Sequence, residues 1–230
     1  MDFPQGETPD SDGSSSGQTS ELSPPTTRFS DASTLRLLTP REYRNTVRDL
    51  LGVNVDPARL PDATSIEGHG KIAGVQAIGY DEVDGYYAVA ADVAEEVVAS
   101  EVPDCASDDA ACFADFAEGV VNEAFRLPIG EAAKSDLMGI LENSEAGSDY
   151  RSRLEVLVIS VLSSPRFLYR NELPVTDNQL SDRQIAVRLS YLVGESTPDK
   201  TLIDKADNGL LADPEVRVEE LARLLSSPEG

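Results

Sequence analysis

The chain has 230 residues, 42 of them acidic and 19 basic, for a net charge of −23. That balance argues against nucleic acid as a partner and against anionic membrane surfaces, because both are held through basic side chains. One histidine and two cysteines are too few for a multi-ligand His/Cys centre, so no metal and no cofactor are expected in this chain.

Hydrophobic residues make up 40% of the sequence, enough for a core. No apolar run approaches the roughly 18 residues of a membrane span.

Residues 1–34 are dominated by Gly, Ser, Thr, Pro and Asp and read as a disordered linker. Too little apolar area is available there to offset the entropy of ordering. The segment lacks the basic and apolar regions of a signal peptide; it resembles the tether that follows a removed signal or a lipid-modified cysteine, with an ordinary flexible cytosolic tail as the alternative.

From Leu35 onward the apolar period is helical. Thr39-Pro40-Arg41-Glu42 is a capping box with proline at N1. Tyr43, Val47, Leu50 and Leu51 share a face, and Gly52 stops the helix. Residues 53–80 are glycine-rich and read as a long loop. A second helix is predicted over 82–101 with Val83, Tyr86, Tyr87, Ala90, Ala94, Val97 and Val98 inward. A third begins near Asp109, and a fourth spans about 131–143. The fifth, over about 149–163, is apolar nearly all round and reads as the central buried helix, with a buried strand as the alternative.

Pro165 opens a short helical turn through Tyr169. Ser181 caps a further helix with Ile185, Ala186, Leu189, Leu192 and Val193 inward. Thr197-Pro198 starts a short helix through Ala206. Asp213-Pro214 starts the last, with Val218, Leu221, Leu224 and Leu225 inward. The expected fold is all-α: an irregular bundle of about seven to nine helices behind a disordered tail. Its modules are 35–102, 103–175 and 176–230, the last read as incomplete.

Three features bear on chemistry. Cys105 and Cys112 would close a loop of about eight residues if oxidised, worth roughly 2–3 kcal/mol in loop entropy, and this needs an oxidising compartment. The alternative is two reduced thiols beside a helix start. His69 lies between glycines in the long loop with Glu67 and Asp62 nearby. Those three are the weak candidates for acid/base chemistry. Finally, arginines stand beside aromatics in Arg166, Tyr169, Arg170 and Glu172, and again in Arg188 and Tyr191, with Asp199 beyond. Guanidinium groups there would either knit helix ends together with carboxylates or hold a small anion between helices.

Four segments carry a family resemblance. They are Leu35–Gly52 with its Arg-Glu-Tyr-Arg-Asn-Thr-Val-Arg-Asp-Leu-Leu-Gly run, Glu123–Ile129, Ser163–Glu172, and Arg188–Leu192 with Thr197-Pro198-Asp199. In order and spacing they resemble planctomycete and myxobacterial extracytoplasmic proteins built from domains of unknown function, often linked to c-type cytochrome domains. Val193-Gly194 and Leu127 depart from that pattern, where the family has a tryptophan and a second arginine.

The resemblance implies a mostly helical, exported protein of the cell envelope or periplasm. A c-type cytochrome domain, an envelope protein or downstream domains of the same polypeptide would be its partners. No haem-attachment motif occurs here. Two functions follow as expectations. One is a non-catalytic interaction or scaffold module. The other is the N-terminal part of an envelope enzyme with its site beneath residues 53–80.

Overall fold

A computed structural model describes residues 35–61, 78–100, 110–143, 150–174 and 179–227. The predicted tail, Asp62, Glu67, His69 and Cys105 lie outside the described residues. Among the described residues there are nine α-helices and one two-stranded antiparallel sheet. None of these helices is long and apolar enough to cross a membrane.

The chain enters through β1 (Leu35–Leu37), which pairs antiparallel with β2 (Tyr169–Asn171), Arg36 opposite Arg170. The sequence period predicts helix from Leu35 onward. The extended conformation is instead dictated by a partner strand more than a hundred residues away, which no local period can reveal. β2 also corrects the reading of Tyr169 as helical.

Helix α1 (Pro40–Leu51) has the predicted start: the Thr39 hydroxyl accepts from the Glu42 N–H, and the Glu42 carboxylate accepts from the Thr39 N–H at 2.8 Å. Gly52 ends it with φ 74°, a left-handed conformation that glycine adopts without steric cost.

Helices α2 (Tyr80–Ala99) and α5 (Tyr150–Leu162) pack most extensively on each other. In α5, Leu154, Leu157, Val158, Val161 and Leu162 are buried, so the fifth apolar segment is the central helix and not a strand. On α2 the buried stripe is Tyr86, Val89, Ala90, Val93, Ala94 and Val97. Val83 and Tyr87, expected inward, are exposed. Helix α3 (Ala110–Phe125) contributes Phe113, Ala117, Val121 and Ala124 to the same core. Helix α4 (Glu131–Asn143) follows, and α6 (Pro165–Leu168) is a single turn capped by the Ser164 hydroxyl.

Helix α7 (Asp182–Val193) joins two hydrophobic clusters. Val187 and Tyr191 enter the large one, shared by α1, α2, α3, α5 and α6. Ala186, Ile185, Leu189 and Val193 face a smaller one, formed with Leu202 and Ala206 of α8 (Lys200–Asp207), Leu211, and Leu224 of α9 (Pro214–Leu225). Leu192, expected inward, is exposed because both apolar faces of α7 are already used.

The helix predicted from Thr197-Pro198 begins two residues later. The Asp199 carboxylate accepts from the Leu202 N–H at 2.8 Å and so fixes the N-cap after the proline. In α9 Glu220 and Leu224 are buried and Val216 is partly buried, one helical ridge at four-residue intervals, while Val218 and Leu225 point outward. The ion pairs of Glu220 set that rotation, overriding apolar content.

Replacing Leu157 with alanine is expected to cost about 2–5 kcal/mol, because the side chain is fully enclosed. Thr39→Ala removes one cap and should cost about 1 kcal/mol. Urea titration followed by circular dichroism measures both.

Candidate functional site

The motif-bearing segments converge on one buried cluster around the ring of Tyr191. The α7 helix brings Tyr191 to the large core, where its side chain is 1% exposed. Its hydroxyl lies 2.7 Å from the Thr46 hydroxyl of α1. The same oxygen accepts from Arg126 Nε at 2.8 Å. Arg126 Nη2 donates to the Phe167 carbonyl at 2.7 Å, so this one guanidinium clasps α7 and α6 together.

The Arg126 guanidinium carbon stands 5.2 Å from the Phe167 ring centre and 5.3 Å from that of Tyr191. Arg170, from β2, covers the Tyr191 ring at 4.7 Å. Each arrangement is a cation–π contact within the favourable range.

Arg126 is positioned by backbone geometry. It follows the last residue of α3 with φ 62°, left-handed and uncommon for a residue with a Cβ. A conformation of that kind costs about 1–3 kcal/mol and persists only where surrounding contacts enforce it. Here those contacts are the two hydrogen bonds and the two aromatic rings.

Arg170 and Arg126 are 5% and 3% exposed, and their electrostatic settings differ. Arg170 Nη2 lies 3.8 Å from buried Glu42 Oε1 and 3.5 Å from Glu172 Oε1. Glu172 is shared further, with Arg36 at 3.8 Å and Arg188 at 4.0 Å. Arg36 and Arg188 are partly exposed, so Glu172 is the carboxylate on which one buried and two outer arginines meet.

Aromatic packing surrounds the charges. Tyr43 meets Phe167 edge-on at 5.4 Å and Tyr86 at 5.4 Å. Burial, with Tyr86 adding, pushes the Tyr43 hydroxyl well above the ordinary phenol range, and burial pushes Tyr86 up to about 12. Tyr169 is also raised by burial, opposed by a backbone hydrogen bond from Ile78. Further out, Ser196 Oγ donates to Asp49 at 2.5 Å and Ser190 Oγ donates to the Ser196 carbonyl at 2.9 Å. Those links tie the turn after α7 to α1.

Of the residues singled out from sequence, Arg170, Glu172, Arg188 and Tyr191 are therefore brought together. Arg166 is exposed on α6. Tyr169 lies in β2 beside the tyrosines of the core. Asp199 belongs to a second network, where Arg223 Nη1 and Nη2 donate to its two oxygens at 2.7 and 3.1 Å.

Arg223 also donates to Glu220 through Nε at 2.8 Å, and Lys205 Nζ donates to Glu220 at 2.5 Å. Burial alone would raise both carboxyls. The hydrogen bonds from Arg223, joined on Glu220 by Lys205, hold them below the usual range. Cys112, in the first turn of α3, is disulfide-bonded. The only other cysteine of the chain is Cys105.

Arg126, Phe167, Thr46, Tyr43 and Glu42 are site residues that sequence reasoning does not single out for chemistry, although Glu42 and Tyr43 are legible from it as a cap and a core position. All but Phe167 and Arg126 sit in the opening motif, and Arg126 sits in the Phe-Arg-Leu-Pro segment, so the resemblance held the signal. Composition held none.

Residues 36–99 match the family model PSD3, a protein of unknown function (DUF1587), and residues 180–230 match PSD4, a protein of unknown function (DUF1592). Thr46 and Tyr43 come from the first matched segment and Tyr191 from the second. Arg126, Phe167 and Arg170 come from the stretch between them. No curated protein and no solved structure matches the chain.

Tyr191→Phe keeps the ring but leaves Arg126 Nε and Thr46 without their shared oxygen. A loss of about 1–3 kcal/mol in urea titration is expected.

The second network predicts acid sensitivity. Asp199 and Glu220 have lowered folded-state values, so their contribution is complete above the ordinary carboxylate range. It is lost as pH falls through those lower values. Arg223→Gln should flatten that acid limb in thermal melts recorded from pH 6 to pH 3.

Proposed function

We propose that this chain is a non-catalytic interaction or scaffold module of a cell-envelope system. The observation that carries the reading is the convergence of α1, α6, β2 and α7 on Tyr191. Arg126 and Arg170 are buried there and directed at the rings, carbonyl and hydroxyl of the other segments. Side chains arranged in this way fix the relative positions of segments distant in sequence, which is what a scaffold requires.

The envelope setting is supported by the disulfide at Cys112, because such bonds persist in oxidising compartments. A c-type cytochrome domain or another envelope protein as partner rests on the sequence resemblance.

Protein tagged in its native host should fractionate with the envelope and show no free thiol when denatured. Intact-mass and elemental analysis should give the polypeptide alone. Cytosolic protein with two titratable thiols would overturn the envelope placement. A stoichiometric metal or organic cofactor would overturn the non-catalytic reading.

A further inference from the structure

Helix α2 turns apolar side chains in two directions. Its inward stripe is complete, with Tyr86, Val89, Ala90, Val93, Ala94 and Val97 all buried. Tyr80, Val83 and Tyr87 form a separate stripe, at i, i+3 and i+7, and are 93%, 49% and 55% exposed. Aromatic side chains grouped on an exposed face are characteristic of contact surfaces, because tyrosine offers a large apolar area together with a polar tip.

The charge beside that stripe has one sign. Helix α2 contains Asp81, Glu82, Asp84, Asp92, Glu95 and Glu96 and no lysine or arginine. Glu82 is used at the helix start, where its carboxylate accepts from the Gly79 N–H at 2.9 Å, and Asp92 is paired with Arg59. Asp81, Asp84, Glu95 and Glu96 are exposed and have no cationic partner among the described residues. Asp84 stands one turn from both tyrosines, and Glu95 extends the row of Tyr87 and Ala91 at four-residue steps. Helix stability accounts for Asp81, in the first turn, but not for Glu95 and Glu96, which lie toward the end where the helix dipole favours cations.

This charge selects the occupant. Nucleic acid and anionic membranes are repelled by it, and a second copy would bring the same carboxylates and a further net charge of −23. The complement is a protein segment that presents lysine or arginine beside apolar side chains.

We infer that the outward face of α2 around Tyr80, Val83 and Tyr87 is a docking surface for a cationic amphipathic segment of a partner protein. This rests on the interaction-module reading and deepens it by naming the surface and the chemistry of what it binds.

The probe is a fluorescently labelled amphipathic helical peptide of leucine and lysine, titrated with the full chain at about 0.1 M salt and followed by anisotropy. Saturable one-to-one binding is expected. A peptide of equal charge with serine in place of leucine should bind about tenfold more weakly, as should the chain carrying Tyr80→Ser with Tyr87→Ser, or Asp84→Asn with Glu95→Gln. The pair Asp115→Asn with Glu123→Gln removes the same charge from exposed positions on α3 and should leave affinity unchanged. All these positions are exposed or solvent-facing, so circular dichroism should show each variant folded. Amide shifts in proton–nitrogen spectra should be concentrated in residues 80–96.

Absence of binding, as would follow if another part of the chain covers the face, would overturn the surface. So would equal weakening by the α3 pair, or shifts spread over other acidic elements, because net charge alone would then hold the peptide. A dimer in sedimentation that Tyr80→Ser with Tyr87→Ser disperses would assign the face to a second copy instead. Any of these results would leave envelope fractionation and the intact-mass result untouched, so the surface can fail while the module reading stands.

Discussion

Two guanidinium groups buried against one tyrosine ring constrain the whole large core. A positive charge removed from water must find rings, carbonyls, hydroxyls or carboxylates close at hand. Arg126 finds them on α6 and α7, and Arg170 finds them on α1, on α7 and at Glu172 just after its own strand. Each of those elements is thereby held at a fixed distance from the others. The left-handed backbone at Arg126 and the β1–β2 pairing belong to the same constraint, since both place an arginine where burial would otherwise be prohibitive.

Helix α7 extends that constraint toward the C-terminus. One face carries Tyr191 and Val187 into the large core, and the other carries Ala186, Ile185, Leu189 and Val193 onto α8 and α9. The smaller cluster has fewer buried apolar residues, and a group of ion pairs lies beside it. Arg223 bridges Asp199 at the start of α8 to Glu220 on α9, and Lys205 closes the group. Glu220 at 2% exposure is tolerated only because two cations reach it. Charge thus sets the rotation of α9, whereas apolar packing sets that of α2 and α5.

The likeness to two families of unknown function falls on residues 36–99 and 180–230. These segments supply Glu42, Tyr43, Thr46 and Tyr191, while the buried arginines Arg126 and Arg170 come from between them. The cluster is therefore a junction of segments and not the property of one matched region.

Local signals in the sequence determined the helices. Capping side chains, N1 prolines and the Gly52 stop act within one turn, so Thr39, Ser181 and Asp213 could be read directly. The continuous apolar run at residues 154–162 likewise announced the central helix. What needed the tertiary structure was everything that depends on a distant partner. The strand at Leu35–Leu37 exists because of Tyr169–Asn171. The outward turn of Val218 follows from the ions around Glu220, and the role of Arg126 follows from rings on two other helices. Short-range hydrogen bonding and periodicity are written in neighbouring residues, but the compensation of a buried charge is decided only when remote side chains meet.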